Sequence, residues 1–387
     1  MCARRLVEGG ARVAVLEARE RVGGRLHTGT LAGAAIDRGG QWMSVGQPRL
    51  RALAEELGVA SFPQRRAGIA VIDEPGAAGR LAQLGAAWAT WRATRRITAL
   101  MRDPPDDDGP LDAWLARTIP HPAARARIAM HAELVFAAEP AELTVRAYLE
   151  RLAVTGRFAP VGPELPGGGR EHRFAGGAQA LALRLAEGLD VQLGVQVRAV
   201  AELAARHVVL AVPPRAARAI AADLAPEARR FLDGARTGAV VKCFAAYDRA
   251  FWRDAGLSGE VYAPSGLVRA VVDASPPGDG AILLAFVVGA AARAWGSRDP
   301  AERRAHVLAE LARFLGEPAA HPIDYAEADW SAEGCVYLAT SPSWRPAHGT
   351  VHIAGTESAV AWPGYMEGAI EAGERAAGEV LRELTGR

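Results

Sequence analysis

Lysine is almost absent from this sequence. Among its 45 lysine and arginine residues only Lys242 is a lysine, and every other basic residue is an arginine. The surrounding residues 237–247 are apolar enough to predict a buried strand, and a lysine buried in a strand needs a polar partner or a function. The alternative is a lysine at a sheet edge whose ammonium group reaches solvent. We favour a functional lysine because arginine occupies all the other basic positions.

Cysteine is also scarce, and long hydrophobic runs are missing. The three cysteines, Cys2, Cys243 and Cys335, form no C-x-x-C pair and no Cys/His cluster with zinc-binding spacing. The sequence therefore predicts a reducing compartment, no structural disulfide and no metal site. The longest apolar run, residues 281–292, is too short to cross a bilayer, and residues 1–20 lack the apolar core of a secretion signal. We expect a cytoplasmic protein that does not bind membranes.

The chain has no large net charge of either sign. The formal net charge is +1, with 23% charged and 50% hydrophobic residues. This balance excludes a disordered chain and the basic surface that is typical of nucleic-acid-binding proteins. A length of 387 residues is enough for two or three domains with substantial cores.

Residues 13–25, VAVLEARERVGGR, are typical of the second strand of a dinucleotide-binding fold and the turn after it. The apolar run 13–16 predicts a strand buried on both faces. Glu17 follows at the strand tip, where a carboxylate can accept hydrogen bonds from ribose hydroxyls. Gly24 lets the backbone approach a ligand, and Arg25 offers a planar cation suited to phosphate. For the strand and Glu17 alone, an ordinary core strand followed by a charged turn is the alternative.

The glycine-rich loop of that fold, G-x-G-x-x-G, occurs nowhere in the 387 residues. In such a fold a strand and this loop precede the first helix, and the acidic residue follows about 20 residues later. Residues 1–8 instead predict the first helix itself, ended by Gly9 and Gly10. We therefore expect an N-terminally truncated dinucleotide-binding domain. It should hold its ligand weakly, because it lacks the loop whose N–H groups would otherwise bind the pyrophosphate.

Two further glycine-rich segments have the composition of ligand-binding turns. Residues 36–42, IDRGGQW, place paired glycines beside Gln41 and Trp42, which suits backbone lying flat on a ring system; a tight turn is the alternative. Residues 350–354 predict a strand, and residues 362–369, WPGYMEGA, begin a helix that runs to residue 384. Such a strand-to-helix turn presents free N–H groups and a positive helix end to an anionic or carbonyl-rich ligand.

Together these segments resemble the flavin-dependent amine oxidases, the family of the monoamine and polyamine oxidases. The matching segments occur in family order and span nearly the whole chain: residues 15–25, 39–42, 174–178, 208–214, 241–242, 251–253, 354–357 and 362–369. The first and last of these are long and specific, whereas the middle ones are individually weak.

The resemblance implies an α/β fold: a Rossmann-like, GR2-type FAD-binding domain, truncated at its N-terminus, and an interleaved α+β substrate domain. The FAD-binding domain would comprise residues 1–60, 167–233 and 341–387. The substrate domain would comprise residues 61–166, mostly helical, and residues 234–340, a sheet with a helix. Hydrophobic periodicity itself predicts strands at 68–72, 191–200, 207–212, 267–273 and 281–288, and helices at 48–58, 111–119, 123–136, 141–153 and 300–315.

Carried over position by position, the resemblance implies FAD with Glu17 on the adenosine ribose, Arg25 near the phosphates and Glu357 on the ribityl chain. Lys242 would reach flavin N5 through a water, and Tyr365 would form one wall of an aromatic cage for the amine. These last two are the expected catalytic residues. The full set of expected cofactor-binding residues is Glu17, Arg19, Gly24, Arg25, Gly39, Gly40, Gln41, Trp42, Val197, Gly355, Glu357, Gly364 and Met366.

Three more positions follow from the same resemblance. Residues 39–42 would lie along the isoalloxazine ring, Val197 near the adenine, and the Met366 N–H toward a flavin carbonyl. Cys335 lies near the position where some members attach the flavin covalently. Here it is followed by Val336 and only then by Tyr337, so we expect FAD to be bound non-covalently and Cys335 to be an inert thiol.

The implied reaction passes a hydride from the α-carbon of a neutral amine to the flavin. Imine hydrolysis and reoxidation by dioxygen, which gives peroxide, would complete the cycle. The implied partners are a small-molecule amine, dioxygen and a second copy in a homodimer, with neither nucleic acid nor membrane. Two alternatives stay open: another flavin reaction such as desaturation or isomerisation, and a flavin-free chain that acts as a binding module.

Overall fold

A computed structural model describes residues 1–73, 80–105, 109–155, 170–222, 224–278, 280–331 and 349–386 of the chain. Within these ranges the α-helices are α1 (Cys2–Glu8), α2 (Pro48–Glu56), α3 (Arg80–Leu100), α4 (Leu111–Thr118), α5 (Pro122–Phe136), α6 (Val145–Thr155), α7 (Gln179–Ala186), α8 (Pro214–Ile220), α9 (Pro226–Gly234), α10 (Phe251–Asp254), α11 (Gly289–Arg293), α12 (Pro300–Leu315) and α13 (Met366–Thr385). The strands are β1 (Ala14–Leu16), β2 (Thr28–Leu31), β3 (Ala34–Asp37), β4 (Trp42–Met43), β5 (Ser61–Pro63), β6 (Ile69–Ile72), β7 (His172–Phe174), β8 (Asp190–Gln192), β9 (Val208–Leu210), β10 (Val240–Ala246), β11 (Leu257–Tyr262), β12 (Ala270–Asp273), β13 (Ile282–Val288), β14 (Asp324–Asp329) and β15 (Val351–Ile353).

The largest sheet has six strands in the order β14–β10–β13–β12–β11–β6. Neighbouring strands pair antiparallel except β6, which runs parallel to β11. Side chains alternate between the two faces of a strand. On β10, Cys243 and Ala245 pack into the core that includes α12, whereas Phe244 and Ala246 pack with the β2–β3 hairpin. Lys242 shares the face of Phe244, and the strand alternation therefore directs it toward the hairpin.

Helices α3 to α6 form a separate helical layer, as the sequence predicts for this part of the chain. Its core consists of large apolar side chains that are almost completely buried, among them Ile97, Trp114, Ile128, Tyr148 and Leu149. Among the described residues, no helix combines the length and the apolarity that a membrane crossing requires.

The parallel strands lie in two pairs, β1 with β8 and β9 with β15, which form separate ladders within the described residues. Helix α13 packs against α1, α2 and β15. The buried Glu367 accepts hydrogen bonds from the N–H groups of Arg49 and Leu50, and so caps the start of α2. The prediction that residues 13–16 are buried on both faces is wrong, because Ala14 is exposed and the other two residues of β1 are only partly buried.

Most of the predicted elements are confirmed. Helices α2, α4, α5 and α12 and strands β6, β12 and β13 agree with the expected segments to within three residues at each end. The strand expected at 207–212 is present as the shorter β9, and α6 begins four residues later than predicted, after a 3₁₀ turn at Pro140–Glu142.

The strand expected at 191–200 is wrong beyond Gln192, where β8 ends. Gly194 has a φ of 70°, which turns the chain away from the strand direction. The N–H groups of Gly194 and Val195 then donate to the carbonyls of Arg19 and Glu17. The backbone N–H groups of this segment therefore bind the turn after β1 and do not extend the β1–β8 ladder.

Helix α13 begins at Met366, four residues after the predicted start. Trp362 and Gly364 have positive φ values of 54° and 84°, which exclude a right-handed helix at these positions. Pro363 therefore lies in the preceding turn and not at the first helical position.

Candidate functional site

The single lysine lies at the centre of the site. Lys242 belongs to β10, an interior strand of the six-stranded sheet, and is 5% exposed. Its ammonium group donates to the carbonyl oxygens of Asp37 and Gly39, the latter at 2.8 Å, and to Oε1 of Gln41. Three acceptors match the three N–H donors of an ammonium group. The alternative of a lysine at a sheet edge is therefore wrong, and Lys242 ties the sheet to residues 37–41.

The surroundings of Lys242 weaken its basicity. Burial lowers the pKa of Lys242 to about 7, although the nearby Asp37 carboxylate acts in the opposite direction. Phe244 and Phe286 flank the ammonium nitrogen, with ring centroids 5.4 and 5.9 Å away. Burial also raises the pKa of Asp37, whose carboxylate accepts hydrogen bonds from the Thr28 hydroxyl and the Ala178 N–H.

We expect the stability of the protein relative to a Lys242→Met variant to rise with pH above neutrality. The folded-state pKa of Lys242, about 7, is below the ordinary value of 10.5, so between these values the unfolded chain binds a proton that the folded chain does not. Stability increases with pH wherever the unfolded state binds more protons. An increase of about 1.5 pH units inside this window should raise the free energy of unfolding of the wild type, relative to that of the variant, by about 2 kcal/mol. Urea unfolding of both proteins at two pH values measures the difference, and a constant difference would contradict the low pKa.

Residues 39–42 run past Lys242 in close contact with the turn that contains Arg25. A side chain at Gly39 would place its Cβ 1.9 Å from the Arg25 carbonyl oxygen, so only glycine fits there. The exposed Gly40 donates its N–H to the same carbonyl at 3.1 Å. Nε2 of the buried Gln41 has no partner within the described residues. Trp42 is held by a hydrogen bond from its indole N–H to Gln64.

Two residues that were predicted to bind different parts of the cofactor bind each other. Arg25 and Glu357 form a two-pronged ion pair, with Nη1 on Oε1 and Nη2 on Oε2 at 3.2 Å. The Glu357 side chain is 2% exposed and the Arg25 side chain 30%. This pair joins the first glycine turn to the loop of Gly355, and the expected roles on phosphate and ribityl oxygens stay predictions.

The residues expected around the adenosine form a second group. Oε1 of Glu17 accepts the Arg19 N–H at 2.9 Å, and both residues bind the turn at 194–195 through their carbonyls. Val197, partly buried, follows two residues after this turn. Gly24 has a φ of 54° and open space where a side chain would begin. The structure therefore brings Glu17 and Arg19 to the turn at 194–195, two residues before Val197, and places Gly24 in the turn that leads to Arg25.

The last group lies at the start of α13. The Thr356 hydroxyl donates to the Tyr365 carbonyl at 2.7 Å and accepts the Gly364 N–H at 2.9 Å. Tyr365 is the N-cap residue and its side chain makes no capping hydrogen bond. The first N–H groups of α13, beginning at Met366, therefore lie at an uncapped positive helix end, which suits an electronegative ligand.

Arg151 was not predicted. It reaches from α6 to place its guanidinium 4.8 Å from the centre of the Tyr365 ring, and it donates to the Pro363 carbonyl. Trp362 meets the same ring edge-on at 5.1 Å. An amine at Tyr365 would have to use the ring face that Arg151 does not cover. No sequence signal distinguishes Arg151 from the many other arginines, whereas Asp37, also without an assigned role, lies inside the glycine segment 36–42.

A small cleft opens beside the Lys242 cluster. Its walls come from β3, β5, β7, β10 and the loop after β12, and they include Asp37, Gln41, Phe62, Arg173 and Phe244. Cys335, which was expected to be an inert thiol, and the nearby Tyr337 lie outside the described residues.

Comparison with known proteins decides the family. The sequence profile of the family described as flavin containing amine oxidoreductase matches residues 1–381. The chain belongs to this family. It is 30% identical to putrescine oxidase of Kocuria rosea over 98% of this chain and 92% of the relative. It is 28% identical to the flavin-containing amine oxidase of Danio rerio over 98% and 83%. Among solved structures, wild-type putrescine oxidase bound to putrescine matches with a TM-score of 0.84 at 27% identity, covering 100% of this chain and 96% of that one.

This flavin-containing amine oxidoreductase is thus a flavoprotein oxidoreductase, and FAD is its cofactor. Three observations indicate that the residues present suit FAD. The buried Gln41 amide has an unused donor, α13 offers an uncapped N-terminus, and Gly24 leaves room where another residue would place a side chain. Polar donors and open backbone of this kind suit a ring system rich in carbonyl and phosphate oxygens.

Proposed function

We propose that this chain oxidises a small-molecule amine to an imine, using non-covalently bound FAD and dioxygen. The observation that carries the proposal is the buried Lys242, fixed by three acceptors against the glycine segment 37–41 in a chain of the flavin amine oxidoreductase family. When bound, FAD would accept a hydride from the α-carbon of the amine, and the imine would then hydrolyse. The desaturase, isomerase and binding-module alternatives gain no support from the relatives.

The residues of this chain would bind, orient and exclude water. Glu17, with Arg19 and Val197 beside it, would hold the adenosine end. Arg25 and Glu357 would hold the middle of the cofactor, either directly or by fixing the loops that do. The low pKa of Lys242, about 7, lets this side chain be neutral near neutral pH, and we propose that the lone pair of the neutral amine accepts a hydrogen bond from a water beside the flavin ring.

The overall proposal is tested by peroxide release from the FAD-loaded protein. A panel of primary, secondary and aromatic amines, with L-amino acids beside them, is mixed with the protein in air. Hydrogen peroxide and the carbonyl product should appear in equal amounts for at least one class of amine. Turnover of an amino acid but of no simple amine would redirect the proposal, and no turnover of any compound by a fully flavin-loaded protein would contradict it.

Tyr365 should contribute to amine selection through its ring. A flat aromatic face can attract the apolar substituent or the cationic form of an amine with about 1–2 kcal/mol, or roughly 5–30-fold in kcat/KM. Tyr365→Phe keeps the ring and should be mild, whereas Tyr365→Ala should lower kcat/KM by an amount that varies with the amine. Equal losses for both variants across the panel would point to the hydroxyl, and no loss for either would place Tyr365 outside the amine site.

A further inference from the structure

A second cluster of ionisable side chains lies where α13 packs against the β9–β15 pair. His352 is the central residue of β15 and is 2% exposed. His207 immediately precedes β9, and Glu379 and Glu383 lie one turn apart on α13. These residues come from three distant parts of the chain, so the sequence has no motif of metal-binding spacing here. Only the fold brings them together.

The donor atoms of three of these residues face one another. Nε2 of His352 lies 3.3 Å from Nδ1 of His207. One carboxylate oxygen of Glu383 lies 3.4 Å from the His207 nitrogen and 4.0 Å from the His352 nitrogen. Metal–ligand bonds of about 2.0–2.2 Å in a tetrahedral site place neighbouring donor atoms about 3.3–3.6 Å apart. Two of the three separations match that value, and the third exceeds it by an amount that a small rotation of the surface carboxylate would remove.

The second nitrogen of His352 is already oriented. Nδ1 of His352 lies 3.1 Å from Oε2 of Glu379, and Arg375 pairs with the other oxygen of that carboxylate. Because a carboxylate accepts, Nδ1 carries the proton and the lone pair of Nε2 points into the cluster. A carboxylate that fixes the far nitrogen of a ligating histidine is the usual support of a metal site.

We infer that His207, His352 and Glu383 bind one divalent transition-metal ion, and that Zn²⁺ is a species they accept. Two imidazole nitrogens and one carboxylate oxygen form a ligand set of the borderline type that zinc favours. Arg375 balances the charge of Glu379, which leaves the carboxylate of Glu383 to meet the cation. The Glu383 side chain is 33% exposed, which gives the ion a path from solvent and leaves a fourth position for water. The ion would join β9, β15 and α13.

The inference is tested with the full-length, FAD-loaded protein, treated with a chelator, desalted and titrated with Zn²⁺ against a colorimetric zinc chelator. We expect one tightly bound Zn²⁺ per chain by competition and by elemental analysis. His207→Gln and Glu383→Gln should each weaken binding at least about tenfold, and Glu379→Gln about 10–100-fold through loss of the support. Zn²⁺ should also raise the Tm of the wild type, because it binds the folded state.

The matched control is His321→Gln. His321 pairs with Glu317 at 2.6 Å on the surface, a single exposed histidine–carboxylate pair without a second histidine. This variant should bind Zn²⁺ like the wild type. Equal zinc affinity of His207→Gln and the wild type, or no uptake by the wild type, would overturn the inference and leave an N–H···N hydrogen bond between the two histidines. His207 and Glu383 are the residues of choice because they lie nearer the surface than His352.

Discussion

Replacing Lys242 with methionine should slow the reduction of bound flavin by an amine, or its reoxidation by dioxygen, by about 100-fold or more, while amine binding changes little. Methionine fills a similar volume but offers no N–H group and cannot hold a water or move a proton. A positioned group that takes part in proton transfer typically contributes a factor of 10²–10⁴. Rapid mixing resolves the two half-reactions, and the dependence of the reduction rate on amine concentration gives the binding constant.

The control for this experiment is Cys243→Ala. Cys243 is the next residue of β10, is as deeply buried as Lys242, and points to the opposite face of the sheet, into the core that includes α12. This variant should disturb packing without touching the site, and both half-reactions should keep their wild-type rates to within about twofold. Unchanged rates in Lys242→Met, at wild-type flavin content, would show that Lys242 only fastens residues 37–41 to the sheet.

Replacing Arg25 with alanine should destabilise the protein by about 2–4 kcal/mol. It leaves the Glu357 carboxylate, 2% exposed, without its cation. Breaking a buried ion pair by removing one partner typically costs about 3–5 kcal/mol, and the partial exposure of Arg25 reduces this value through solvent screening. Urea unfolding of the FAD-loaded protein measures the effect.

Two further variants separate charge from packing at this position. Adding Glu357→Gln to the Arg25→Ala variant removes the uncompensated charge and should recover part of the lost stability. Arg184→Ala breaks an ion pair with Glu187 in which both side chains are more than half exposed, and it should change stability by no more than about 0.5 kcal/mol. A loss in Arg25→Ala no larger than in Arg184→Ala would contradict the account of the buried pair.

The parts of this fold that the sequence predicts are those in which a local pattern decides the outcome. The apolar runs of β10 and β13 and the amphipathic pattern of α12 require burial wherever they lie, and all three are confirmed. In contrast, β14 has the sequence Asp-Tyr-Ala-Glu-Ala-Asp, which contains residues that strands usually avoid. It forms because it pairs with β10 and because Glu327 accepts a hydrogen bond from Trp295 and forms an ion pair with Arg303.

The site also combines features that a local sequence pattern predicts with contacts that depend on the tertiary fold. The pair Gly39–Gly40 and the single Gly364 mark the two turns of the site, because the close backbone approach at Gly39 and the positive φ of Gly364 favour glycine. The pairing of Arg25 with Glu357 spans 332 positions of the sequence, and the arrival of Arg151 at Tyr365 depends on how α6 packs. Neither contact leaves a local trace in the sequence. The same is true of the His207–His352 cluster, whose members are assembled by strand pairing.

The most direct test of the central claim is anaerobic reduction of the flavin-loaded protein by an amine. The account predicts that the visible absorption of oxidised flavin disappears when the amine is added and returns when air is admitted, with one peroxide formed for each flavin reoxidised. A flavin that dithionite reduces but that stays oxidised with every amine tested would contradict it.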